Sequence, residues 1–345
     1  MIKEVDLEEI IDREDIIFID VRSEKEFDED TIPGAVNLPI LKNKEREYVG
    51  YLYKQVDKEK AKELGLKYAS EKLPDFYKRA KQIVNSDKKV ALFCYRGGMR
   101  SSSVANVLNI MGIDNYLIKG GYKSYRKKVV EDLKKYENKF NYIVLHGYTG
   151  VGKTKILKKL EDINEPVIDL EGLANNSGSV FGDIAFKEVS STQKRFESLL
   201  LKNLKSINRN YVFLESESKR VGRIMLPDFL YENMQNGYHI LIETNLDNRI
   251  ENILDDYVSK TNFNKNRLIS AIEKLRKRLG NDIVDKLIKN IENNDYKPTV
   301  KTLMVDYYDP LYKYSIDKVD NYDKIIRYDT INEAVKKVKE FSKKV

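Results

Sequence analysis

Residues 147–154 read Gly-Tyr-Thr-Gly-Val-Gly-Lys-Thr, directly behind the apolar run Asn141–Leu145 (NYIVL). The pattern G-x-x-x-x-G-K-[S/T] restricts the fold more than any other stretch of this chain. It needs a buried strand to deliver the loop, glycines that let the backbone curl, and a helix whose first amides point into the curl. Such a unit belongs to an α/β sheet covered by helices. Gly147, Gly150 and Gly152 are expected to make the curl, and the amides of residues 149–154 to cradle a diphosphate. Lys153 supplies a point charge on the outer phosphate, and Thr154 can hold Mg²⁺ or a phosphate oxygen. A nucleotide kinase or NTPase is the default owner of this loop. Further strands are expected at Val167–Leu170, Tyr211–Leu214 and His239–Glu243, and from about residue 250 the pattern turns helical.

The chain has 345 residues, enough for two domains. Ahead of the loop lies a second α/β pattern. Ile16–Val21, Val36–Leu38, Val90–Phe93 and Tyr116–Ile118 read as strands. Residues 56–84 read as helical, and Val104, Val107, Leu108 and Met111 have the spacing of a helix face over Ser101–Met111. Strand–helix–strand order with short connections argues for a parallel sheet. The Lys-rich stretch Lys123–Lys139 reads as a linker. The expected division is 1–130, a basic helical linker over 131–140, and 141–345 with a helical C-terminal region.

Composition removes several classes. One cysteine excludes a disulfide framework and a Cys-rich zinc or iron–sulfur site, and two histidines, His146 and His239, make a His-based metal cage untenable. No metal ligands are assigned. The N-terminus has no basic-then-apolar leader and no run approaches a membrane span, so a cytoplasmic protein with no membrane partner is expected. The net charge of +7 is divided unevenly. The first 40 residues are acidic and the remainder basic, which suits a polyanionic partner or simply a Lys-rich surface.

The single sulfur sits in Phe93-Cys94-Tyr95-Arg96-Gly97-Gly98-Met99-Arg100-Ser101, between a strand and a helix. Gly97 and Gly98 let several N–H groups converge, and the helix N-terminus, Arg96 and Arg100 add positive potential. These favour a thiolate and an anionic group held beside it. A buried, inert cysteine is the plain alternative. Cys94 and Arg100 also have the spacing of a Cys-x5-Arg phosphatase loop, although no general acid for a leaving phenol is evident.

Several other stretches carry candidate chemistry. Asp169-Leu170-Glu171-Gly172-Leu173-Ala174-Asn175-Asn176, with Gly178 and Ser179, is an acidic, glycine-containing loop after a strand. Glu215 and Glu217 stand at the end of the strand where a phosphate-binding unit places its second acidic group. Glu215 can position Mg²⁺ or a water, or can simply be solvated. Lys265, Arg267, Lys274, Arg276, Lys277 and Arg278 suit an RNA backbone, or are a charged helix face. Tyr307, Tyr308 and Tyr312 can stack on a base or pack a core.

The strand-end Ile19-Asp20-Val21-Arg22, the stretch Ile32-Pro33-Gly34-Ala35 and the Cys94 loop stand in the order of the rhodanese (sulfurtransferase) family, which residues 1–130 resemble. With the phosphate loop behind it, the chain resembles the tRNA 2-selenouridine synthase family over nearly its whole length. The motifs are C-Y-R-G-G-M-R-S at 94–101, G-Y-K-S-Y-R at 121–126, D-L-E-G-L-A-N at 169–175, E-S-E-S-K-R-V-G at 215–222, K-R-L-G at 277–280 and Y-Y-D-P-L-Y at 307–312. The implied fold is α/β: an N-terminal rhodanese-like domain with a parallel sheet, and a C-terminal P-loop NTPase-like domain with a helical extension. The implied activity is a transferase of selenium-containing groups that also geranylates tRNA. Wobble 2-thiouridine in the anticodon loop is first S-geranylated from geranyl diphosphate. The geranylthio group is then replaced by selenium from selenophosphate, supplied by its synthase, through an S-selanyl group on Cys94. The resemblance implies no tightly bound cofactor. It makes Asp20 and Arg22 braces of the domain. The rival reading is a sulfurtransferase fused to an NTPase that serves another acceptor.

Overall fold

The runs IIFID, KVALF and NYIVLH are apolar at consecutive positions, which is how strands read when helices cover both faces. In the computed structural model of the protein, which describes residues 3–85, 87–176, 191–257 and 264–345, these runs form the middle of two separate sheets. Packing divides the chain into two units, residues 1–133 with 197–202 and residues 134–196 with 203–345.

In the first unit, β1 (Lys3–Val5), β2 (Ile16–Asp20), β3 (Val36–Asn37), β4 (Lys89–Phe93) and β5 (Asn115–Ile118) pair in the order β1-β5-β4-β2-β3. Every pairing is parallel. The helices are α1 (Glu24–Glu29), α2 (Asn43–Tyr51), α3 (Lys58–Ser70), α4 (Leu73–Val84), α5 (Met99–Ile110) and α6 (Gly121–Leu133). The span 56–84 is thus two helices, preceded by a π-helical turn at Leu52–Val56. Helix α5 begins two residues before the expected Ser101, because its apolar face starts later than its backbone does.

Asp20 and Arg22 brace this unit. Arg22 Nη2 donates to Asp20 Oδ2 at 2.6 Å and to the Asp30 carbonyl at 2.6 Å, and Thr31 Oγ1 donates to Asp20 Oδ2 at 2.9 Å. Both members of the pair are fully buried, and the Arg22 guanidinium lies 3.9 Å from the centre of the Tyr122 ring. A pair held this deeply adds little net stability but is costly to break from one side.

In the second unit, β6 (Asn141–His146), β7 (Val167–Ile168), β8 (Tyr211–Glu215), β11 (Tyr238–Glu243) and β12 (Lys324–Arg327) form a parallel sheet in the order β12-β11-β6-β8-β7. A two-stranded antiparallel ribbon, β9 (Arg220–Val221) and β10 (Ile224–Met225), lies outside it. Helices α7 (Lys153–Asp162) and α8 (Leu170–Ala174) follow β6 and β7. The helical region from residue 265 has its own core, in which Ile250, Leu268, Ile272, Leu287, Ile291 and Leu303 are fully or nearly fully buried. Strand β12 interrupts the helical pattern late in the chain. Its four residues are too few to show a period, and the sheet edge decides their conformation.

The segment 131–140 is not one helical linker. Helix α6 ends at Leu133, a 3-10 turn covers Lys134–Tyr136, and Tyr136 and Phe140 are buried and stacked with ring centres 6.0 Å apart. Two apolar rings within five residues anchor the chain, whatever its lysines do. Gly178 and Ser179 lie outside the described residues.

Candidate functional site

Each unit places one loop at the carboxyl end of its central strand, the position where open parallel sheets bind ligands. In the first unit the loop is 94–98, between β4 and α5. Gly97 takes φ +70°, and a Cβ there would stand 2.7 Å from the Ile118 carbonyl oxygen. Gly121 packs as closely on the other side: a Cβ would meet the Cys94 carbonyl oxygen at 2.3 Å. Tyr122 and Lys123 donate their amides to the carbonyls of Cys94 and Tyr95. This close approach accounts for the glycine at the head of the 121–126 motif. The amides of residues 96–98 make no backbone hydrogen bond among the described residues.

Cys94 is buried, at 4% exposure. Ser101 Oγ donates to its sulfur at 3.2 Å, and the thiol faces the Gly98 carbonyl at 3.8 Å. The thiol therefore sits in the floor of the loop, with a hydroxyl beside it. The arginines divide differently from the sequence expectation. Arg100 is bound by Glu26 of α1, at 2.8 and 3.3 Å. Burial pushes the Glu26 carboxyl up, but the hydrogen bond and charge of Arg100 outweigh it, and Glu26 is held below the ordinary carboxylate range. Half of the expected guanidinium charge is thus neutralised. Arg96 is exposed, with its guanidinium 5.8 Å from the centre of the Tyr95 ring. Ser101 and Glu26 join the candidate site through these contacts, and sequence reasoning did not single them out. Ser101 was legible as the residue after Arg100; Glu26 has no local signal, because it also closes the capping box of α1 with Ser23.

In the second unit the loop 147–152 joins β6 to α7. Gly152 caps α7 at φ +72°, where a Cβ would stand 2.6 Å from Ile331 Cδ1. Gly147 and Gly150 also have positive φ. Lys153 Nζ donates to the Gly147 carbonyl at 3.1 Å, folding over the loop, and lies 5.5 Å from the centre of the Tyr312 ring. Thr154 Oγ1 donates to Glu215 Oε1 at 2.7 Å. The loop is pinned from the far end of the chain. Arg249 Nε donates to the Thr149 carbonyl at 2.9 Å and is held bidentately by Asp309. Asn252 donates to the Gly150 carbonyl, and the Tyr328 hydroxyl to that of Val151. These three are about 100 to 180 residues from the loop, and nothing in their own neighbourhoods marks them.

Carboxylates collect beside Lys153. Burial pushes the Glu215 carboxyl up to about 7; Glu171 and Asp169 push the same way, while Lys153 and the Thr154 hydrogen bond oppose. Burial, with Glu171 and Glu215, pushes Glu217 up to about 8. Asp169 is the N-cap of α8: its Oδ1 accepts the Gly172 amide at 2.8 Å. It adds field to the cluster while its own oxygen is engaged. His146, directly before the loop, makes a 2.9 Å contact with His239, and burial pushes it down to about 3, so it stays neutral. Among the described residues, no group of three or more His, Cys, Asp or Glu side chains is arranged to hold a metal ion.

The expected RNA patch is partly spent. Arg276 is paired with both Glu273 and Asp285, Arg278 donates to the Tyr307 hydroxyl, and Lys265 to the Glu292 carbonyl. Lys274 and Lys277 remain exposed. Tyr308 is in the core, and Tyr307 packs against it. No described helix is long and apolar enough to cross a membrane.

Fold and loops together define a class: a two-unit α/β protein joining a strand–cysteine-loop–helix unit to a strand–phosphate-loop–helix unit. Residues 4–128 match the rhodanese-like domain family, and residues 140–344 match the tRNA 2-selenouridine synthase AAA domain. The chain belongs to the tRNA 2-selenouridine synthase family. It is 30% identical over 349 residues to the tRNA 2-selenouridine synthase of Nitrosomonas eutropha, covering 88% of this chain and 89% of that one. It is 34% identical over 329 residues to that of Sulfurovum sp., covering 87% and 88%. A solved N-terminal domain from Clostridium difficile 630 is 38% identical, spans 38% of this chain and 99% of its own length, and superposes with a TM-score of 0.36.

Proposed function

We propose that this protein converts wobble 2-thiouridine of tRNA to 2-selenouridine in two steps, one at each loop. In the first, the base sulfur attacks C1 of geranyl diphosphate. A C–S bond forms, the C–O bond breaks, and diphosphate leaves into the loop 147–154. Lys153 and the loop amides stabilise the charge that develops on the departing group. Thr154 and Glu215 would hold Mg²⁺ there, which would add positive charge at the phosphates. In the second step, water cleaves selenophosphate to phosphate and selenide. The selenide attacks Cys94 held as a mixed disulfide with a small thiol; the S–Se bond forms, the S–S bond breaks, the thiol leaves, and Cys94 carries selenium as an S-selanyl anion. That selenium attacks C2 of the base, and geranylthiolate leaves and takes a proton. The chain has one cysteine, so an external thiol then attacks the Cys94 sulfur. The S–Se bond breaks, a mixed disulfide remains on Cys94, and selenium stays on the base.

The observation that carries this reading is one chain of this family in which both loops keep their reactive groups. Cys94 has the Ser101 hydroxyl beside it, in a loop whose amides 96–98 make no backbone hydrogen bond among the described residues, and Lys153 and Thr154 head α7. The test is mass-spectrometric nucleoside analysis of tRNA incubated with the protein, geranyl diphosphate, selenophosphate and a thiol. 2-Selenouridine is the expected product; unchanged tRNA overturns the reading.

A second reading keeps a nucleotide at the phosphate loop. A cavity of about 500 Å³ beside it is lined by Tyr148, Asn245, Arg249, Tyr328 and Asp329, a size and polarity that suit a nucleobase. ATP hydrolysis without any change in tRNA favours this rival, a sulfurtransferase joined to an NTPase.

A further inference from the structure

The first unit holds a second cavity, of about 470 Å³, with a mostly apolar wall. Ile40, Leu41, Val49, Ala69, Leu73 and Val107 form much of it. Its cause is visible in α3, which presents Ala61, Gly65 and Ala69 to the cavity at four-residue intervals. Small residues on the inner face of a helix leave space that leucines would fill. Helix α2 has no buried residue and α3 only Ala61. Among the cavity's lining residues Tyr53, Leu66 and Met99 are exposed, Leu66 at 69% and Met99 at 60%. Clustered exposed apolar side chains mark an interaction site more often than ordinary surface.

The cavity borders the helix that follows the Cys94 loop. Met99, Arg100, Ser102 and Ser103 line it from the first turn of α5, the turn that closes the cysteine loop. Its floor residues Ile40 and Leu41 belong to the same buried cluster as Cys94. Charge there suits a nucleic acid: Arg96 is exposed, residues 94–113 include no acidic side chain, and Glu26, the carboxylate paired with this stretch among the described residues, is spent on Arg100. Tyr53 at the cavity offers a ring to a base, with the Lys58 ammonium 5.8 Å from its centre. Size favours a long alkyl group. An apolar cavity of about 150 Å³ takes the six carbons of benzene. On that scale ten branched carbons need about 250 Å³ and twenty about 500 Å³.

We propose that this cavity holds the isoprenoid chain of the S-alkylated base while the base itself is presented to the Cys94 loop. The proposal rests on the two-step reaction above and adds the place where the second step grips its substrate. The chain then serves as a handle as well as part of the leaving group. Binding energy from a remote, non-reacting group orients the reacting centre.

The test uses synthetic anticodon stem-loop RNAs carrying S-geranyl, S-methyl or a C20 S-alkyl 2-thiouridine. Their equilibrium binding is measured to the full chain and to its Ala69→Phe and Ser103→Phe variants, the second at an exposed helix position that tolerates bulk. The wild-type chain should bind the geranyl RNA at least about tenfold tighter than the methyl RNA, about 1.4 kcal/mol, and the C20 RNA at least as tightly as the geranyl RNA. Both variants should reduce that ratio below about threefold. A geranyl preference kept by both variants, or absent from the wild type, overturns the proposal. So does a wild-type dimer that both variants dissociate, which would give the cavity to a second copy. Conversion of the geranyl RNA to 2-selenouridine by the wild type is scored separately. Conversion with the preference untouched by filling sinks the cavity alone. A preference lost on filling, without any conversion, keeps the cavity and sinks the two-step reading.

Discussion

The two loops are built alike and balanced differently. Each leaves the third strand of a five-stranded parallel sheet, turns on positive-φ glycine and opens a helix. The loop of the first unit holds a thiol beside a hydroxyl, and Arg100, partly buried within reach of the sulfur's field, is neutralised by Glu26. The loop of the second holds Lys153 among carboxyls that burial keeps protonated toward neutral pH. In the function proposed above, one backbone device, a strand leading through a glycine turn into a helix, serves a nucleophile in one unit and a leaving phosphate in the other. What separates the two is the side chains that longer-range folding brings alongside.

The sharpest way to break the comparison is Cys94→Ser. It should lower selenium incorporation at least about 10³-fold, a nucleophile's worth, and leave S-geranylation within about twofold. Mass-spectrometric counting of S-geranyl-2-thiouridine and 2-selenouridine reads both. Loss of both products would mean the loops are not separate sites. Lys153→Ala is the mirror experiment. Geranylation should fall about 100-fold, as when a transition-state charge donor is removed, while selenation of pre-geranylated RNA stays within about threefold. If geranylation survives and an ATPase disappears, the phosphate loop belongs to a nucleotide.

Arg249→Lys probes the bracing of the second loop. A point charge cannot hold Asp309 bidentately and reach the Thr149 carbonyl at once. Diphosphate affinity, measured calorimetrically, should drop about tenfold; an unchanged value would show that the loop keeps its shape unaided. The smallest effect concerns pH. Glu215 and Glu217 have folded values of about 7 and about 8 against an ordinary 4.5. The folded protein therefore binds more protons than the unfolded chain between those limits. Their contribution to stability is present below about 4.5 and is lost as pH rises to 7–8. Glu217 is partly exposed, so solvent screens part of this. Glu217→Gln should raise the melting temperature at pH 8.5 by about 2–4 °C, the effect of about 1 kcal/mol in a unit of this size, and leave it unchanged at pH 4. Equal shifts at both pH values would assign the effect to packing.

Much of this was legible locally. Apolar runs such as VALF and NYIVL located the strands, and the glycine spacing at 97–98 and 147–152 located both loops. Bounds slipped where local pattern is thin: Val167–Leu170 shortens to Val167–Ile168 because Asp169 turns to cap α8. The roles of charged residues read least well. Arg100 looked available to the sulfur, yet Glu26, 74 residues away, holds it. The cationic run 265–278 looked open, yet Arg276 is engaged on two sides.

The amino-acid order alone determined where the chain can present amides and a nucleophile, because strand, glycine turn and helix start are set by backbone preferences of neighbouring residues. Only the tertiary structure decided which charges remain uncompensated, and where a cavity opens between α3 and α5. Charge pairing and empty volume depend on distance in space, and residues a hundred positions apart meet only once the sheets have formed.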